Sequence, residues 1–201
     1  MSPHVPSRLG AGSAVAAVVG LMTLTGGGEA SDSAVILGGE VLALLLFVPF
    51  LAYLYGLLRA ADDRAPWLPV TFLAAGVVAI AVKLVSVVPV IAVQRGGIDP
   101  SLHHALQEMA DAAFVVSLPA LGICAGAAAA VVLRTGVLPA WLGWSAAVTA
   151  PLLVANGFAV GGDQGPSFVL FLLWTLITGI VLLRRAVVAA RPAVAVAGPA
   201  A

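Results

Sequence analysis

The sequence predicts an all-α fold, a six-helix transmembrane bundle with its N and C termini in the cytoplasm. Three observations predict it. Of 201 residues, 62% are hydrophobic and 9% are charged, with a mean hydropathy of +1.13. A water-soluble surface alone needs roughly 25–35% charged residues. Six apolar runs, at 9–25, 34–58, 67–93, 109–133, 137–160 and 167–183, approach or exceed the ~20 residues that carry a helix across a ~30 Å hydrocarbon core. They are continuous rather than alternating, which argues against a membrane β-barrel. Finally, the basic residues between the runs sort by side. Arg8, Arg59, Arg64, Arg134, Arg184, Arg185 and Arg191 fall on one side, and Arg95 falls on the other. Positive charge is retained in the cytoplasm, so the arginine-rich side is the inner one.

The first run has two readings. Arg8, an apolar stretch and then Gly28-Glu29-Ala30 before Ser31 fit a secretory signal with a small-residue cleavage point. Gly12, Ala16 and Gly20 form a small-xxx-small stripe suited to helix packing, which favours a retained helix. Either way, the second run travels from outside to inside. Runs two to five carry Pro49, Pro89, Pro119 and Pro151 in turn, tolerated in lipid because neighbouring helices satisfy the freed carbonyls. Asp99-Pro100-Ser101 has the form of a turn and N-cap, so the fourth helix starts near Leu102, ahead of its apolar run. Trp67, Trp141 and Trp144 mark the inner interface as an aromatic belt, while Trp174, beside Thr175 and Thr178, lies deeper. The chain reads as one integral membrane domain over residues 1–201, its Ala/Val/Pro-rich segment 186–201 a flexible tail.

Composition also narrows the chemistry. Zero formal net charge and the lack of a basic run give no basis for nucleic-acid binding. The single cysteine, Cys124, cannot form an intramolecular disulfide or a dithiol redox pair. Arginine supplies all basic residues except Lys83, and Ala, Val, Gly and Leu dominate. That usage fits a GC-rich bacterial genome, and so a multi-pass protein of the bacterial plasma membrane. The surrounding partner is the lipid bilayer. Gly/Ala-rich spans also leave room for a homo-oligomer or a membrane partner.

The ionisable and amide groups inside the runs gather toward the outer half. Glu40 lies ~9 Å below the outer end of the second run, and Lys83 ~15 Å below that of the third. Glu108 and Asp111 open the fourth, and Asn156 lies one turn inside the fifth. A charge at such depth costs ~2.5–3.5 kcal/mol unless it is paired or wetted. Lys83 can snorkel outward along its stem to the level of Glu40. An ion pair among Glu40, Lys83 and Asp111, with Asn156 nearby, is therefore expected to tie the helices or line a ligand pocket. A second constellation is His104, Glu108 and Asp111, spaced i, i+4 and i+7 on one helical face. Those donors suit a divalent metal, the one cofactor candidate. Solvated acids at a helix start are the simpler reading, because they also suit the helix dipole.

The stretch Arg134-Thr-Gly-Val-Leu-Pro-Ala-Trp-Leu-Gly-Trp144 resembles a signature of uncharacterised multi-pass bacterial membrane proteins classed under domains of unknown function. Tyr55-Gly-Leu-Leu-Arg59, Val82-Lys83-Leu-Val-Ser86 and Ala105-Leu-Gln-Glu-Met-Ala-Asp-Ala-Ala-Phe114 support it. The resemblance spans about residues 35–160 and implies a six-helix membrane protein with no attached activity. Members often carry Asp-Leu-Asn where this chain has Glu108-Met109-Ala110.

Three functions compete on these residues. The first is a small-molecule or ion binding or transport protein with an outer-leaflet polar pocket. The second is a non-catalytic scaffold or accessory subunit. The third is a metal-dependent intramembrane hydrolase using His104, Glu108 and Asp111, with metal-bound water as nucleophile. Gathering of the charges in one half of the bundle favours the first, and no catalytic residue is assigned.

Overall fold

The computed structural model describes residues 5–25, 34–94, 99–158 and 165–189. They form six helices: α1 (Val5–Thr25), α2 (Ala34–Ala61), α3 (Trp67–Gln94), α4 (Pro100–Thr135), α5 (Ala140–Phe158) and α6 (Gly165–Ala189). Four are long and apolar enough to cross a membrane, over Leu37–Ala61, Trp67–Val93, Pro100–Thr135 and Gly165–Val188. The chain is an integral membrane protein by that measure. In α1 the apolar stretch is the shorter Arg8–Met22, and α5 is diluted by Trp141, Trp144, Thr149 and Asn156.

Most helix ends lie within a few residues of the apolar runs; the larger departures are the start of α4, which the Asp99-Pro100-Ser101 turn anticipates, and the end of α6. The fourth helix extends well ahead of its apolar run at 109–133, because Asp99 caps it. The Asp99 carboxylate accepts hydrogen bonds from the Ser101 amide and hydroxyl, and Pro100 occupies the first turn. These bonds hold the Asp99 carboxyl below its ordinary pKa. The sixth helix continues through Ala189, past the expected helix end, so residues 186–189 are helical rather than tail. Residues 190–201 lie outside the described ones. Helices continue through Pro49, Pro89, Pro119 and Pro151.

Each helix packs on its sequence neighbours, and α1 closes the ring by packing on α6. The fourth helix also leans inward to touch α2 and α6, and 61% of its apolar window is buried against 33–44% for the other spans. Small residues explain this central place. On α4, Gly122, Cys124, Ala125, Ala127, Ala128 and Ala129 are buried, which lets backbones approach closely. A Cβ on Gly122 would come within 2.8 Å of the Ala150 carbonyl oxygen on α5. The first helix packs only in part through the predicted stripe: a Cβ on Gly20 would lie 3.2 Å from that of Ala43 on α2. Ala11, Ala14, Ala17 and Val18 are fully buried, Ala16 is exposed, and a Cβ on Gly12 would meet nothing. Side chains such as Leu42, Val85, Val88, Val116 and Val148 point outward, as a lipid-facing surface requires.

The two ends of the bundle differ in chemistry. At one end, Asp62 in the α2–α3 connection is 3% exposed. Its Oδ1 accepts from the amides of Arg64 (3.1 Å) and Ala65 (3.2 Å), and Arg134 Nη2 on α4 reaches it at 3.4 Å. Gly136, at φ 66°, ends α4 in the left-handed region that glycine adopts freely. Arg185 Nη1 on α6 donates to the Val137 carbonyl at 2.6 Å. Arg59, Arg64 and Arg184 are exposed at the same end, and Trp67, Trp141 and Trp144 are more than half exposed there. Deeper in, Trp174 Nε1 donates to the Leu142 carbonyl at 3.1 Å, tying α6 to α5.

Candidate functional site

The opposite half of the bundle holds the charges that the sequence places inside runs. Lys83 Nζ on α3 lies 3.1 Å from Glu40 Oε1 on α2, with the two side chains 26% and 19% exposed. The ammonium also sits 5.3 Å from the centroid of the Phe114 ring on α4, within cation–π range. Three helices therefore converge on one cation. The lysine stem lies along apolar surface while its head reaches the carboxylate, the behaviour expected of a snorkelling side chain.

Beneath the pair is a cavity of about 40 Å³ lined by residues of α1, α2, α3, α4 and α6. Its walls are Leu21, Leu44, Phe47, Ala79, Ile80, Phe114, Leu121, Phe168, Phe171 and Leu172, with Lys83 and Ser117 the polar exceptions. The aromatic walls hold one another. Phe114 meets Phe168 edge-on at 5.1 Å, and Phe47 meets Phe171 at 6.1 Å. Ser117 donates its hydroxyl to the Phe114 carbonyl at 2.6 Å, and Ser86 donates to the Lys83 carbonyl at 2.7 Å. Both hydroxyls spend their donor on their own helix. The cavity surface is wholly apolar: Lys83 lines it through its stem, and the ammonium pairs with Glu40, which is not among the lining residues.

Of the four residues expected to gather, two do. Asp111 is exposed and stands apart from the pair. It shares a helical face with Leu118, but α4 has no buried residue before Ser117, so its first turns stand clear of close packing at that level. Asn156 Nδ2 instead donates to Ser167 Oγ at 2.9 Å, a tie between α5 and α6. The pocket is therefore more apolar than the outer-leaflet polar site the sequence predicts.

The expected metal constellation assembles only in part. His104 Nε2 and Glu108 Oε1 meet at 3.8 Å, with the side chains 76% and 69% exposed. Asp111 does not join them. Among the described residues no three His, Cys, Asp or Glu side chains group closely enough to hold a metal ion.

Two buried polar features escape the sequence reading. Asp62 was legible only as part of a connection, although an acid ahead of Pro66-Trp67 is a helix-start signal. Its second oxygen, Oδ2, is buried without a hydrogen-bond partner among the described residues, as are the hydroxyls of Thr175 and Thr178. Neither threonine lines the cavity.

Comparison with curated proteins and with solved structures finds no match. Residues 19–186 match the family described as a domain of unknown function, DUF4386. That segment takes in the Glu40–Lys83 pair, the cavity and the Asp62–Arg134 junction, and the chain belongs to this family.

Proposed function

We propose that this protein binds, and by extension transports, a small molecule through the chamber beneath Glu40 and Lys83. One observation carries the reading: a partly exposed ion pair sits over an apolar cavity inside a membrane bundle. A pair that only fastened helices together would be better replaced by apolar packing, since buried ion pairs often contribute no net stability. Placed at a chamber, its two charges supply orientation and specificity, with the apolar walls supplying burial.

In the same reading all six helices cross the bacterial plasma membrane, with both termini cytoplasmic. Support for this comes from the arginine end, where Arg59, Arg64, Arg134, Arg184 and Arg185 cluster, and from its exposed tryptophans. The chamber then lies toward the extracytoplasmic side.

The test compares wild type with Lys83→Met in lipid nanodiscs against small apolar carboxylic acids, amines and amino acids, read as a shift in Tm. At least one class should raise the Tm of wild type and leave that of Lys83→Met unmoved. A neutral Lys83→Met/Glu40→Gln protein guards against a stranded charge. If no class stabilises wild type, or if the neutral double variant fails to fold, the pair is a structural fastener and the reading falls.

A further inference from the structure

The chemistry of the chamber mouth narrows the ligand, on the reading that the chamber binds one. Beside the cavity one positive and one negative group are in contact, Lys83 Nζ and Glu40 Oε1 at 3.1 Å; the Lys83 stem is part of the lining, together with walls such as Phe47, Ile80, Phe114 and Phe168, and Glu40 is not. A purely anionic ligand would take Lys83 and leave Glu40 without its partner. A purely cationic one would strand Lys83. Either loss leaves an uncompensated charge at the edge of a low-dielectric interior, which is the costly outcome for an embedded pair.

A zwitterion avoids both losses. Its anionic group takes the ammonium and its cationic group takes the carboxylate, so each protein charge exchanges one partner for another of the same sign. We infer that the site recognises a compact zwitterion carrying a small apolar group, with Lys83 on its anionic end and Glu40 on its cationic end. The dimensions agree. In an α-amino acid the ammonium nitrogen and the carboxyl carbon share one atom and lie about 2.5 Å apart, so two adjacent side chains can address both. The cavity of about 40 Å³ has room for about three water molecules, the scale of a short branched side chain rather than an acyl chain. Phe114, which already faces the Lys83 ammonium, holds that donor in place while the carboxylate of Glu40 moves aside.

The same charges occur in a free amino acid and in a phosphatidylethanolamine headgroup, and the experiment separates the two. Wild-type protein in nanodiscs of phosphatidylglycerol alone is titrated with L-leucine, with isocaproate and with isoamylamine, by calorimetry. These share a branched apolar tail and differ only in charge. Leucine should bind at least about tenfold more tightly than either single-charge analogue. Repeating the leucine titration in discs containing phosphatidylethanolamine identifies the source. Unchanged affinity assigns the free amino acid, and weakened affinity assigns the headgroup as resident zwitterion. Equal or tighter binding of isocaproate or isoamylamine overturns the zwitterion inference and leaves a ligand-binding chamber standing. Binding of none of the three overturns both.

Discussion

Lys83 and Glu40 meet at 3.1 Å from neighbouring helices, and the Phe114 ring of a third helix faces the same ammonium. Removing one partner strands the other. Lys83→Met or Glu40→Gln alone should each destabilise the protein by about 3 kcal/mol, the low end for an embedded pair since both groups keep some solvent contact. The double variant should recover much of that loss. Equilibrium unfolding in mixed micelles measures the cycle, and strictly additive losses would show that the two charges do not interact.

At the arginine end, Asp62 does two jobs with one oxygen: it accepts from the Arg64 and Ala65 amides and from Arg134. Asp62→Ala should cost about 1–2 kcal/mol through loss of the turn that its side chain closes in the α2–α3 connection. Asp62→Asn, which keeps an acceptor oxygen in the same place, should recover most of it. Thermal unfolding compares the two variants, and equal losses would make the charge rather than the turn decisive.

Gly122 and Gly126 lie one turn apart on α4, yet their surroundings differ. A Cβ on Gly122 would press on the Ala150 carbonyl at 2.8 Å and on Val154, whereas one on Gly126 would rest on the Ala150 methyl at 3.6 Å. Gly122→Ala is therefore expected to destabilise by about 1–3 kcal/mol. Gly126→Ala should be neutral or stabilising by up to ~1 kcal/mol through helix propensity. Unfolding midpoints for the pair test whether the α4–α5 contact is as close as described.

Thr175 and Thr178 are fully buried on α6, and their hydroxyls have no partner among the described residues. Valine keeps the shape and removes the unsatisfied group, so Thr175→Val and Thr178→Val should each stabilise by about 1 kcal/mol. Loss of stability in either would reveal a hydrogen bond through that hydroxyl.

Much of this architecture is written in the chain, because hydrophobic length is a direct physical requirement of lipid. The six runs locate six helices, and Asp99-Pro100-Ser101 locates the start of α4. The Glu40–Lys83 contact was legible because counting residues gives depth, and two opposite charges at one depth in lipid have few other options. Rotation about each helix axis was less legible. Asp111 has a suitable depth and face but lies on a stretch of α4 that its neighbours do not enclose. On α1, of the evenly spaced Gly12, Ala16 and Gly20 only Gly20 meets a neighbour closely, at Ala43, and Ala11, Ala14 and Ala17 supply the rest of the buried face. Apolar residues surround α1 on every side, so periodicity gives little contrast with which to choose its buried face. Asp62 and Arg134 are far apart in sequence and meet only when α4 folds back along α3, a tertiary fact that local spacing does not encode.

A ligand chamber at this place requires solvent to reach Lys83 from the end of the bundle opposite the arginines. Lys83→Cys with Glu40→Gln, in a Cys124→Ala background that removes the one native thiol, places a lone reporter at that point. In sealed vesicles of known orientation the membrane-impermeant reagent is sulfonatoethyl methanethiosulfonate, with Arg64→Cys in the same background as the control. The cysteine at position 83 should react with reagent on the extracytoplasmic side, and the one at position 64 only with reagent on the cytoplasmic side. No reaction at position 83 from either side, in protein that is folded, would contradict a ligand chamber there.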